Sequence, residues 1–171
     1  RSVTSVTEVF GTGQQITYII VEFNERVVNS QLTKNTFTVS DRTVEKIYSN
    51  TRPERTDIVK DGRFVIIELN PKDSGASLRL EGNDEVGFQM KKATSKITQK
   101  EDILFTNGKK LEKSIAILEN NKTRNLIVEN FKQFVYKDPK TGTSVKYNLY
   151  IPKNYDKNKK YPLVLFMHDK G

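Results

Sequence analysis

Apolar residues along this chain alternate with polar ones or run together in short bursts, and almost nowhere recur at helical spacing. Residues 2–10 place Val3, Ser5, Thr7 and Val9 on one face and Thr4, Val6, Glu8 and Phe10 on the other, the period of a strand. Gly11-Thr-Gly13 makes a turn, and residues 16–23 read as a second strand, apolar on both faces at its centre, so the pair predicts a hairpin. Residues 24–35 are polar and irregular, with Val27, Val28 and Leu32 placed to enter a core. A short strand at 36–40 turns Phe37 and Val39 one way, and 44–48 is expected to continue it after a turn at Asp41-Arg42. Residues 50–60, with Pro53 and mixed charges, predict a solvated loop. Asp61-Gly62 then introduces Phe-Val-Ile-Ile-Glu-Leu at 64–69, the strongest strand signal of the first half.

Turn clusters at 71–76 and 83–87 flank a short edge strand at Leu78 and Leu80, and a strand at 93–98 precedes the turn Asn107-Gly108. Residues 111–118 have mixed apolar spacing and are not assigned as helix; Asn120-Asn121 is a linker or strand end. Short strands parted by turns every 8 to 12 residues or so predict an all-β antiparallel sandwich. A second organisation begins at 131–136: a strand, the turn Asp138-Pro-Lys-Thr-Gly142, and a strand with Val145, Tyr147, Leu149 and Ile151 at every second position. Pro152 and the polar run 154–160 break it. Leu-Val-Leu-Phe-Met at 163–167 is apolar without alternation, as a strand covered on both faces of a parallel sheet reads. With only a hairpin beside it, this stretch is expected to be exposed, to pair with another chain, or to be disordered. The change of pattern puts a boundary near 120–130, dividing the chain into 1–125 and 126–171.

Tyr-Asn-Leu-Tyr-Ile-Pro-Lys-Asn-Tyr-Asp at 147–156, followed by Lys-Lys-Tyr-Pro-Leu-Val-Leu-Phe-Met-His-Asp-Lys-Gly at 159–171, resembles the opening of an α/β-hydrolase domain of the prolyl-oligopeptidase and carboxylesterase type. Val-Ser-Asp-Arg-Thr-Val-Glu-Lys-Ile-Tyr-Ser-Asn at 39–50 is similar to the immunoglobulin-like domain that precedes the hydrolase in EstA-type bacterial esterases. The resemblance implies an Ig-like β-sandwich over 1–125 and a truncated start of the hydrolase sheet over 126–171. It implies a secreted or cell-surface bacterial parent that is a serine hydrolase, an esterase or peptidase, with the Ig-like part serving oligomer formation or access to the site. The partners implied are the rest of the hydrolase domain and, through the Ig-like part, further copies of the chain. His168, Asp169, Lys170 and Gly171 would belong to the loop whose amides face a developing oxyanion. Asp169 stands where many relatives have glycine, and a plain strand-end role remains the alternative for His168.

Composition narrows the remaining classes. The 171 residues are 35% hydrophobic and 29% charged, without Trp, enough for one modest core. The absence of Cys excludes disulfides, Cys-bound zinc and thiol chemistry. No apolar run approaches the roughly 18 residues of a membrane span. A first residue of Arg rather than Met leads us to expect a processed or trimmed start. A net charge of +8 is compatible with nucleic acid, an anionic membrane or an acidic cell wall, but the lysines are dispersed among Asp and Glu outside 153–160.

Catalytic patterns are incomplete. Gly75-Ala-Ser77-Leu-Arg79 and Gly142-Thr-Ser144-Val-Lys146 lack the closing glycine of a nucleophile elbow, so both serines read as turn residues. Nucleophile, acid and base are all missing, and the fragment alone should have no turnover. Neither a P-loop nor a dinucleotide fingerprint is present, since Gly87 is followed by Phe88 and Gln89, and Gly11-Thr-Gly13 opens a strand. Asp156-Lys-Asn158 lacks a downstream Glu for calcium, so no metal or cofactor is expected. Asn121-Lys-Thr123 has the form of a glycosylation sequon. The tyrosines at 147, 150, 155 and 161 suit core and edge packing better than single-strand nucleic-acid binding. Against the hydrolase reading stands an Ig-like module that binds cell-wall polysaccharide or protein and has no hydrolytic parent.

Overall fold

The computed structural model describes residues 1–80 and 89–167. Its regular elements are strands, with two short 3-10 turns at Asn29–Gln31 and Val128–Asn130. In chain order the strands are β1 (Ser2–Phe10), β2 (Gly13–Val27), β3 (Phe37–Val39), β4 (Val44–Asn50), β5 (Gly62–Leu69), β6 (Arg79–Leu80) and β7 (Gln89–Met90). They continue with β8 (Lys96–Gln99), β9 (Ile103–Leu104), β10 (Lys110–Leu111), β11 (Ile117–Glu119), β12 (Lys122–Asn125), β13 (Phe131–Lys137) and β14 (Ser144–Tyr150). A five-stranded sheet in the order β12-β1-β2-β5-β4 provides one layer, and a three-stranded sheet β11-β8-β3 a second. All pairs in the larger sheet are antiparallel except β12 with β1, which is parallel and brings Lys122 beside Thr4. This is the expected all-β, Ig-like sandwich.

Register explains why β2 and β5 read as apolar on both faces. Ser5, Ile19, Ile67 and Ile47 form one cross-strand row, and Val3, Val21 and Val65 another. These rows face the smaller sheet, where Phe37, Val39 and Ile97 complete the main core together with Ile103. The alternate positions Val6, Tyr18, Ile20, Ile66 and Tyr48 point the other way and form a second buried cluster on the outer face. Fully burying a side chain such as Ile19 or Ile67 stabilises by about 1.5–3 kcal/mol. The larger sheet draws that gain from both sides.

The outer cluster is roofed by chain that its composition marks as solvated loop. Residues 51–58 cross it: Arg55 lies over the Tyr18 ring at 5.1 Å and pairs with Glu8 at 2.6 Å, while the Thr56 amide donates to the Tyr48 hydroxyl. Tyr48 in turn donates to Glu68 at 2.7 Å. Burial, followed by that hydrogen bond to a carboxylate, pushes the Tyr48 phenol well above its ordinary range.

One expectation fails. β4 does not continue β3: β3 pairs with β8 in the small sheet, whereas β4 pairs with β5 in the large one. The chain changes layers between them, helped by Asp41 at φ 57°, in the left-handed region that Asp tolerates better than most residues. Arg42 holds the crossing. Its side chain is only 5% exposed and donates to the carbonyls of Ile16 and Asn70 and to Asp73. Two strands in sequence could equally have lain side by side, and only burial of Phe37 and Val39 under the large sheet separates them.

The first hairpin and the hairpin of β13 with β14 form as read, while the turn expected at Asn107-Gly108 is a three-residue one, the Gly108 amide donating to the Phe105 carbonyl with Gly108 at φ 81°. β2 runs further than expected, to Val27, which is completely buried. The turn expected at 83–87 lies outside the described residues.

Two outcomes test this packing. A Cβ at Gly62 would overlap the Asn50 carbonyl, so Gly62→Ala should cost about 1–3 kcal/mol, read as a lower urea or thermal midpoint. Asp73 accepts hydrogen bonds from the Thr43 amide, the Thr43 hydroxyl and Arg42, and its pKa is depressed, chiefly by the Thr43 amide. Its contribution is therefore complete above the unfolded value of about 3.9 and lost as pH falls through the lower folded value. Midpoints measured from pH 5 downward should fall less steeply in Asp73→Asn than in the parent chain.

Candidate interaction surface

No described part of the chain assembles a hydrolytic centre. Ser77 sits at an isolated bridge to Gln15, where its hydroxyl accepts from the Arg79 amide at 3.1 Å, the geometry of a turn serine. Ser144 opens β14 at the end of the Asp138-to-Gly142 turn, which closes on itself. Asp138 accepts from the Thr141 hydroxyl at 2.7 Å and the Lys140 amide at 2.9 Å, contacts that lower its pKa, and Gly142 sits at φ 71°. His168, Asp169, Lys170 and Gly171 lie outside the described residues.

Other candidates resolve into local structure. Asp156 accepts from the Asn158 amide within its own turn, and no group of three or more acidic, His or Cys side chains able to hold a metal occurs among the described residues. The Asn121 side chain accepts from the Val3 amide and the Ser2 hydroxyl, so the sequon asparagine ties the first strand to β12. Asn120 is buried and ties the 93–95 segment to the start of β12, accepting from the Ser95 amide at 2.7 Å and donating to the Ala93 and Lys122 carbonyls. Nothing in its sequence context distinguished this clamp from a linker. A shallow cleft of about 350 Å³ beside β3 is lined by Lys34, Phe37, Lys100 and other residues that include no Ser, His, Asp or Glu. Its Arg42 is committed to Asp73. The cleft pairs no nucleophile with a His or carboxylate base, since its Thr38 and its lysines have no such partner among the lining residues.

What the C-terminal part offers is apolar surface. In the β13–β14 hairpin Phe134 stacks on Tyr147 at 5.5 Å, and Phe131 meets Tyr150 at 5.5 Å. Tyr155 and Tyr161 pair similarly, so these rings engage one another. Phe134, Tyr136, Val145 and Tyr147 nevertheless share a face of the hairpin that is open to solvent. Beyond it, Leu163, Val164, Leu165, Phe166 and Met167 are 77–87% exposed and in no strand. The strand expected at 163–167 is not formed, because it has neither a paired neighbour nor a covering layer here. Contiguous apolar surface of this kind is characteristic of interaction sites, whether for protein, membrane or ligand.

Comparison with known proteins places this geometry. The family model described as the esterase Ig-like N-terminal domain matches residues 2–112. The chain belongs to this family. A crystal structure of a thermostable esterase superposes with a TM-score of 0.86 at 25% sequence identity, covering 95% of this chain and 45% of that one. The present chain therefore spans less than half the length of that esterase. No curated protein matches it. The esterase Ig-like family region ends within β10–β11, but coverage of 95% cannot be reached without most of the hairpin and tail. The superposition thus includes the segment whose apolar face is open.

The exposed stretch carries a direct test. Leu165→Asp together with Phe166→Asp should reduce binding of a hydrophobic dye such as ANS while leaving the unfolding midpoint within about 0.5 kcal/mol of the parent. A large loss of stability would show that the stretch is packed after all.

Proposed function

We propose that residues 1–125 are a non-catalytic Ig-like accessory domain and that 126–171 begin the α/β-hydrolase domain of an exported bacterial ester or peptide hydrolase. The observation that carries this reading is the superposition on a thermostable esterase over 95% of this chain but only 45% of that chain. A free-standing binding module has no need of the hairpin and the apolar stretch after it. A hydrolase sheet does, since its first strands are buried only when later strands and helices cover them. The boundary near residue 125 fits the last pairing of the sandwich, Thr7 with Asn125. The bacterial and exported character comes from the wording of 39–50 and 147–171.

Within this reading the four residues from His168 to Gly171 supply the oxyanion loop, and nucleophile, acid and base come from polypeptide after it. The Ig-like part contributes oligomer contacts or shapes the approach to the site. In the described residues no helix is long and apolar enough to cross a membrane.

The experiment is to express this chain continued into its hydrolase portion and, beside it, the 171 residues alone. The longer protein should hydrolyse p-nitrophenyl esters of short acyl chains, and the short one should give no rate above buffer. A longer protein that folds but binds polysaccharide without hydrolysing any ester would replace this reading with the binding module.

A further inference from the structure

The passage from sandwich to hairpin is built unlike a free linker. Such a linker is expected to be polar or glycine-rich and to make few contacts of its own. Residues 126–128 are instead Leu-Ile-Val, and the chain around them is fastened at each step. Asn125 accepts from the Thr7 hydroxyl at 2.8 Å and from Gln14 at 2.9 Å. The Leu126 amide donates to the Thr7 carbonyl at 3.0 Å, and the Leu126 side chain packs on the outer cluster.

Ile127 follows at φ 71° and ψ −56°. This is near the rarer of the two γ-turn conformations. A residue branched at Cβ adopts positive φ only when its surroundings hold it there. The holding contacts lie on both sides. Past the bend, the Asn130 amide donates back to the Ile127 carbonyl at 3.0 Å, closing the 3-10 turn. Across the bend, Arg124 pairs with Glu129 at 2.8 Å and also donates to the Pro53 carbonyl at 3.3 Å. One guanidinium therefore joins β12, the roof loop and the far side of the turn. Its fixed fork of donors suits it to bridging where lysine would not.

We propose that residues 124–130 form a preset elbow that fixes the course of the chain out of the sandwich, with Ile127 as its bend and Arg124 as its clasp. Arg124 is a positioning residue, acting on the direction of the hairpin and on nothing chemical. The elbow does not depend on the hydrolase reading: a longer protein without esterase activity would leave it standing.

Because the chain has no cysteine, a pair of spin labels can be placed cleanly at the exposed positions Lys46→Cys on the sandwich and Lys140→Cys in the hairpin turn. Pulsed dipolar spectroscopy of the labelled 171-residue chain should give one narrow distance distribution. Adding Arg124→Ala should broaden it about twofold or more, towards the spread of a flexible tether, with the sandwich's thermal midpoint little changed. Adding Ile127→Pro, whose ring holds φ near −65°, should move the mean distance. A broad distribution in the labelled parent overturns the proposal, as does an unchanged distribution in Arg124→Ala. Should Ile127→Pro fail to fold, the parent and Arg124→Ala decide the matter by themselves.

Discussion

Two adjacent strands with apolar side chains on both faces set the terms for the whole sandwich. β2 and β5 are paired through Ile19 with Ile67 and Ile20 with Ile66, so one register presents hydrophobic rows up and down at once. A slip of one residue would keep both faces apolar but would exchange which residues meet the other sheet. The second sheet can cover only one side. The other must be sealed by loop, and loop carries polar backbone that needs partners. Hence the roof is a polar one, in which Arg55, Glu8, Tyr48, Glu68 and Thr56 satisfy one another over Tyr18 and Ile66. Each exposed pair is worth little by itself, about 0–1 kcal/mol. Together they keep water from a cluster whose burial is worth more.

The same economy of contacts explains how the chain's ends are tied. β12 lies parallel to β1, a pairing that a tight turn cannot make, so it requires the chain to travel through the small sheet before returning. Asn120 and Asn121 fasten that return through side-chain bonds to Ser95, Ala93 and Val3. A buried amide such as that of Asn120 costs free energy unless fully paired. Asn120 meets the condition with three partners.

After β12 the balance reverses. The hairpin of β13 and β14 has regular pairing over seven residue pairs, yet its apolar face meets no second layer, and a lone two-stranded ribbon is marginal in water. Aromatic pairs such as Phe134 with Tyr147 supply part of what a covering layer would. Membership of the esterase Ig-like family accounts for the sandwich over residues 2–112, and the likeness to a longer esterase extends over most of the ribbon as well.

Strand positions were legible from residue order wherever local chemistry decides them. Alternation marked β1 and β14, unbroken apolar runs marked β5 and the centre of β2, and glycine turns marked the hairpins, because period and positive φ are properties of a few neighbouring residues. The hydrolase-like wording of 147–171 was legible as well, although the four residues proposed for the oxyanion loop lie beyond what the structure describes. Which sheet a strand joins was not legible. β3 and β4 look continuous, and only the burial of Phe37 beneath one sheet and of Ile47 and Tyr48 on either face of the other parts them. Nor did composition reveal that a charged loop roofs an apolar cluster, that Asn120 is a clamp, or that Ile127 bends the wrong way for its type. Each draws on at least one distant partner, Glu8 for Arg55, Ser95 for Asn120 and Thr7 for the chain entering the bend, and contacts at such separations exist only once the chain has folded.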